Sequence, residues 1–212
     1  MTQSGAPGAI LRDLDDATRS LVRLAAIVTM GREREIREAI TTTAQAAPPE
    51  WVEELLLQTY LFGGFPRALN AMREWRRIHA APVVSAEDDG PDPARWRANG
   101  AMTCARVYGP MYERLRTNIR GLHPLLDDWM IVEGYGKVLS RPGLDLARRE
   151  LCIVAACAAA DQERQLHAHL HGALNVGVPA DVIDRTIDAL ADLLGATRVA
   201  SIRHLWARVR RQ

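Results

Sequence analysis

The chain has 212 residues, enough for one domain or two small ones with a core that folds without staples. A hydrophobic share of 48% beside 25% charged residues is that of an ordinary globular protein. A formal net charge of +1 argues against a general polyanion binder, which carries a strong basic excess.

Aromatics make up 5% of the chain, so small aliphatic residues must fill the core, and the frequent alanines fit long helices. The opening MTQSGAPGAILRDLDD has neither a basic nor an apolar leader region and is not read as a secretory signal. The pattern predicts helices over 15–30, 33–46, 50–61, 66–79, 94–105, 110–120, 123–135, 144–160, 162–176, 180–194 and 197–210. Pro49, Pro66, Pro110, Pro124 and Pro179 stand near helix starts, where a missing N–H costs nothing. Gly177 and Gly195 suit helix stops. No run of alternating β-branched residues supports a strand, so the expected class is all-α. PVVSAEDDGPDP, residues 82–93, reads as an acidic Pro-rich linker between 1–81 and 94–212. No apolar run approaches the ~18–20 residues that span a bilayer, so no membrane association is expected. Cys104, Cys152 and Cys157 form no CxxC or zinc pattern, which points to no metal and to a reducing cytoplasm.

Sliding the chain against itself reveals a repeat. At an offset of 130, Leu14–Glu35 lies over Leu144–Gln165 with nine identities in 22 positions, where composition alone gives roughly two. Pro49 then falls over Pro179 and Val52 over Val182. The chain reads as two tandem copies of one helical unit.

Polarity contradicts burial in the second copy. LCIVAACAAA, after Glu150, is apolar all round and predicts a central helix. Glu150 shares a face with Ile153, Val154 and Cys157. In the next helix Gln162, Gln165, Leu166, His169, Ala173 and Val176 fall in one stripe, so three hydrogen-bonding groups face the interior or a cleft edge. Glu150 is an obvious partner, and a half-buried Glu/His pair suits proton transfer near neutral pH. A salt bridge from Glu150 to an arginine, or a purely structural network, remains the alternative. His167 and His171 share a face but lack a third ligand, so they read as an exposed pair. Arg198, Arg203, Arg208, Arg210 and Arg211 read as a solvated basic helix end and not as a nucleic-acid surface. The five tryptophans read as core anchors.

The stretch ELCIVAACAAADQERQLHAHLHGALNVGVPADVI, with GYGKVLSRPGLDLARRE before it and EELLLQTYLFGGFPRALNAMR in the first half, resembles the carboxymuconolactone decarboxylase / alkylhydroperoxidase D-like family. The resemblance implies an all-helical fold, sites near subunit boundaries and a homo-oligomer. Single-copy relatives form rings of six units, so a two-copy chain is expected as a homotrimer, with a dimer next. In the peroxidase branch a glutamate is followed by cysteines at +12 and +15 and a histidine at +19. Here Glu150 and His169 match, while Gln162 and Gln165 replace both sulfurs. The decarboxylase branch resembles this chain in keeping the histidine without the cysteine pair.

That branch implies cofactor-free loss of CO2 from a carboxylated lactone or related acid. His169 is then the proton donor or relay, Glu150 orients and tunes it, and Gln162 and Gln165 bind carboxylate or lactone oxygens. Tyr135 and Arg141 join as pocket residues on residue type and proximity, Arg141 to attract an anion. In the first copy Ser20 stands at the Glu150 position, Ala39 at that of His169 and Glu35 at that of Gln165, so this copy is expected to be structural. Two other readings stand beside the lyase: a peroxidase-type redox protein using a non-standard cysteine, and a catalytically silent scaffold.

Overall fold

The structure is a computed structural model that describes residues 11–83 and 90–211; six residues of the expected linker, 84–89, lie outside the described residues. Among the described residues every regular element is helical. Four helices form the first copy: α1 (Asp16–Met30), α2 (Glu33–Ala46), α3 (Pro49–Gly63) and α4 (Phe65–Ile78). Then come α5 (Pro93–Tyr108), a 3-10 turn (Gly109–Met111), α6 (Tyr112–Leu122), α7 (Pro124–Trp129) and a π-helix (Met130–Leu139). The second copy follows as α8 (Leu146–Ala159), α9 (Glu163–Asn175), α10 (Ala180–Ala189), α11 (Ala191–Leu194) and α12 (Ala196–Val209).

The repeat is a three-dimensional fact. Asp15 caps α1 by accepting from the Thr18 N–H at 2.7 Å, and Asp145 caps α8 by accepting from the Arg148 N–H at 3.0 Å. The two central helices pack on each other, and their caps meet. The Arg148 guanidinium donates to Thr18 at 2.8 Å, to Asp15 at 3.0 Å and to Asp145 at 2.6 Å. Thr18 and Arg148 are repeat equivalents, and equivalent residues in contact mark a pseudo-two-fold relation. One hydrophobic cluster runs through both copies, from Leu11 to Val209.

Beyond α2 and α9 the repeat changes register. The equivalent N-caps are Pro48 and Pro179, an offset of 131, so Pro179 corresponds to Pro48 and not to Pro49. From the start of α9 to the start of α10 the chain holds one residue more than from α2 to α3, and Gly177 lies in the turn between them with φ +92. The new offset then holds. Gly64 and Gly195 share a left-handed conformation at φ 86 and 78. The Trp75 indole donates to Glu53 at 3.0 Å, and that of Trp206 to Asp184 at 2.7 Å.

Two expected helices differ. The one drawn over 123–135 becomes α7 and then the wider π-helix, which runs on to Leu139. Its Gly136 lies against the α5 backbone: a Cβ there would stand 1.9 Å from the Trp96 carbonyl oxygen, and one on Gly100 would stand 2.0 Å from that of Ile131. Two glycines thus allow a backbone-to-backbone crossing. The helix drawn over 180–194 breaks at Leu190 into α10 and α11. Of the tryptophans, Trp75 and Trp206 are buried and Trp51 and Trp96 half-buried, whereas Trp129 is 54% exposed and is not a core anchor. The arginines of α12 are engaged at the surface, among them Arg198 with Asp161 and Arg208 with Glu163.

Candidate active site: a buried glutamate–histidine pair

Residues 151–159 of α8 are all buried, as a helix apolar on every side must be. Glu150 opens that stretch with no exposed surface. The chain then reverses through Asp161, at φ 59, and α9 runs beside α8. Seven residues into α9, His169 meets the carboxylate: Nδ1 lies 2.8 Å from Glu150 Oε2. A carboxylate facing Nδ1 makes that nitrogen the donor, which leaves Nε2 for chemistry. Among the described residues no hydrogen bond occupies Nε2, and the His169 side chain keeps 7% of its surface exposed. Glu150 Oε1 is, among the described residues, the buried side-chain oxygen without a partner.

Gly172 makes the pair possible. A Cβ there would stand 2.6 Å from Glu150 Oε2 and 2.7 Å from Val107 Cγ1. The walls are aromatic. Phe62, from α3 of the first copy, sets its ring edge-on to His169 at 5.7 Å. Tyr108, at the end of α5, approaches from another side at 6.5 Å, and Tyr135 of the π-helix stands against Tyr108 at 6.2 Å. Asn175 of α9 donates to the Val107 carbonyl at 2.8 Å and so pins the end of α5 over the site. Phe62, Tyr108 and Gly172 were not among the residues expected from sequence. Only Gly172 leaves a local trace, as a glycine inside a helix.

Burial and the Glu150 charge act on the neighbouring acids. Burial, with the Glu150 charge adding to it, pushes the Cys157 thiol up to about 12. Burial first, and Glu150 after it, likewise bring Cys104 and Tyr108 to about 12. Tyr135, fully enclosed, is raised well above the ordinary phenol range. These groups stay protonated at neutral pH, and a protonated thiol is not a peroxidatic nucleophile.

The remaining expected residues lie elsewhere. Gln162 and Gln165 are exposed; of the two places expected for them, interior or cleft edge, Gln162 takes the cleft edge. Gln162 precedes the helix, as its N-cap, so helical phasing does not govern it. It lines a cleft of about 440 Å³ between the α8–α9 turn and α12, shared with Cys157, Leu166, Arg198 and Arg208. That opening leaves the first turn of α9 in water. Tyr135 is 4% exposed and sits behind Tyr108. Arg141 faces Glu54 at 2.9 Å rather than the Glu150–His169 pair. Glu54 also receives the buried Arg149 at 2.7 Å, and Arg149 donates further to Gln58 at 3.2 Å and to the Leu144 carbonyl at 3.0 Å. This network ties α3 of the first copy to the segment that carries Glu150. His167 and His171 stack edge to face at 4.8 Å on the other side of α9.

In the first copy the equivalent place is a groove of about 380 Å³ lined by Ser20, Ile27, Glu35, Ala39 and Thr42. No described helix is long and apolar enough to cross a membrane. A sequence profile of the Carboxymuconolactone decarboxylase family matches residues 6–77 and 128–208, one segment over each copy. The chain is also similar to "Peroxisomal protein 2" of Schizosaccharomyces pombe (strain 972 / ATCC 24843), 27% identical over 152 residues, which cover 69% of this chain and 70% of that protein.

Proposed function

The chain belongs to the carboxymuconolactone decarboxylase family, and we propose that it is a small-molecule lyase that removes CO2 from a carboxylated lactone or related acid without a cofactor. The observation that carries this reading is the His169 Nδ1–Glu150 Oε2 contact of 2.8 Å inside the core. Glu150 accepts from Nδ1 and fixes the ring, so that Nε2–H points away from the carboxylate as an acid. When the C–CO2 bond breaks, its electron pair enters the conjugated lactone carbonyl and CO2 leaves. Nε2–H then delivers its proton to carbon, and solvent restores it.

Against the redox reading stand the neighbouring thiols, which burial keeps protonated. The scaffold reading draws on a different observation, the 5% exposure of His169. One comparison separates it from the lyase. In a CO2-release assay on a carboxylated γ-lactone, His169→Ala loses turnover and keeps its helical circular dichroism, while His167→Ala keeps both. Equal activity in wild type and His169→Ala would refute the role given to the pair.

We read the exposed Phe65 (62%), Met102 (61%), Leu122 (75%) and Trp129 (54%) as faces covered in a homo-oligomer, a trimer first and a dimer second. Sedimentation as a monomer at micromolar concentration would exclude this assembly. Three free, buried cysteines suit a reducing compartment, for which we propose the cytoplasm.

A further inference from the structure

Decarboxylation leaves one electron pair shared between carbon and a carbonyl oxygen, and the Glu150–His169 pair serves only the carbon. His169 has one free nitrogen, and in the lyase reading that nitrogen gives its proton to carbon. The electron pair left by CO2 moves onto the carbonyl oxygen, where a hydrogen-bond donor held in place lowers the barrier. That donor must stand beside the imidazole, carry a proton at neutral pH and reach the side from which substrate arrives.

The groups around the pair narrow the choice. Phe62 carries no donor. Cys104 and Cys157 are buried, and thiols donate weakly. Tyr135 is 4% exposed, enclosed behind Tyr108. Tyr108 alone among these hydroxyls and thiols meets the His169 ring edge-on, at 6.5 Å, and is only half-buried. Its place is set from both ends. Asn175 holds the Val107 carbonyl, and Gly109, at φ 52, turns the chain away directly after it. The glycine-to-glycine crossing of α5 and the π-helix brings Tyr135 against it.

We propose that Tyr108 is a second substrate-contacting residue, donating its phenolic hydrogen to the oxygen that gains charge as CO2 departs, and that Tyr135 is its positioning residue. The inference rests on the lyase reading for its reaction but predicts an oxyanion site that exists without turnover. The phenol keeps its proton throughout: it donates and does not transfer. The ligand class follows from this, a planar acid whose enolate oxygen lies within reach of Tyr108 while the carbon to be protonated faces His169.

The test uses the full chain and two readouts. In CO2 release, Tyr108→Phe lowers kcat by about 100-fold or more with KM nearly unchanged, the loss expected for one donor to an oxyanion. Tyr135→Phe lowers kcat less, and also with KM unchanged. The second readout is calorimetric binding of tetronate, a stable cyclic enolate lactone. Wild type binds it, Tyr108→Phe binds it at least tenfold more weakly, and His167→Ala binds it as wild type does. Should no carboxylated lactone be turned over, the lyase reading fails, while tenfold weaker tetronate binding by Tyr108→Phe still upholds the oxyanion site. Absence of tetronate binding in wild type, or equal binding by Tyr108→Phe, overturns the assignment. So does a Tyr108→Phe kcat within twofold of wild type in a protein that His169→Ala inactivates.

Discussion

The two copies share a frame and differ in what fills it. Both start their central helix with an aspartate cap, both place a left-handed glycine before the last helix, and both pin that helix with an indole-to-carboxylate bond. Yet the first copy has Ser20 and Ala39 along an open groove, where the second has Glu150 and His169. The second is also covered by α5 and the π-helix, and the first has no counterpart to them among the described residues. Caps, turns and apolar faces therefore specify the scaffold twice, while the buried Glu150–His169 pair occurs in the second copy alone.

The sharpest break of this comparison is to turn the second site into the first. Glu150→Ser with His169→Ala should reduce CO2 release to background in a protein that still folds. Stability should not follow activity. His169→Ala alone leaves a buried carboxylate with neither oxygen paired and should cost about 3–5 kcal/mol, whereas the double variant removes both partners and should cost less. Denaturant midpoints of the two variants measure this.

Arg19 and Arg149 are the same residue at equivalent positions of the repeat, one exposed and the other fully buried. Arg149→Ala should destabilise by about 3 kcal/mol or more, because Glu54 and Gln58 lose their buried partner, while Arg19→Ala should stay within about 0.5 kcal/mol. Equal midpoints would mean that the Arg149 network contributes nothing.

Gly172 has Thr42 as its counterpart, exposed on the groove of the first copy. Gly172→Ala drives a Cβ toward Glu150 and Val107 and should cost about 1–3 kcal/mol together with a large part of the turnover. Thr42→Ala should change neither.

The smallest expected effect belongs to the thiols. Raised to about 12, Cys104, Cys152 and Cys157 are protonated across the neutral range, and their thiolates form only as pH climbs toward that value. A disulfide reagent at pH 7–8 should find the folded protein unreactive, and replacing all three by alanine or serine should leave turnover in place. Peroxide consumption that disappears with Cys157 alone would reverse the choice between lyase and redox protein.

Much of the fold was legible because helix signals are local. Proline at the first turn, aspartate at the cap and 3.6-residue apolar spacing placed nearly every helix, and the identities at offset 130 exposed the repeat. Glu150 and His169 were legible because polar groups on apolar faces stand out and the family resemblance spaces them 19 residues apart. Phasing did not bring Gln162 and Gln165 to the Glu150–His169 pair, because helix periodicity says little about residues at the helix start, where Gln162 is the N-cap on the edge of an open cleft. Arg141 was misdirected toward a ligand because the sequence could not show that Glu54, 87 positions away, already held it.

The sequence by itself determined that this is a chain of helices in two copies, with a glutamate and a histidine 19 residues apart in the second. Cap chemistry, apolar period and residue identity are properties of neighbours along the chain. Only the tertiary structure decided that Phe62 and Tyr108 close on His169, that Gly172 makes room for Glu150, and that one of two equivalent arginines is buried. Those contacts join residues distant in sequence across interfaces whose geometry arises when the copies pack together, and burial there sets both the cost of a charge and the protonation of its neighbours.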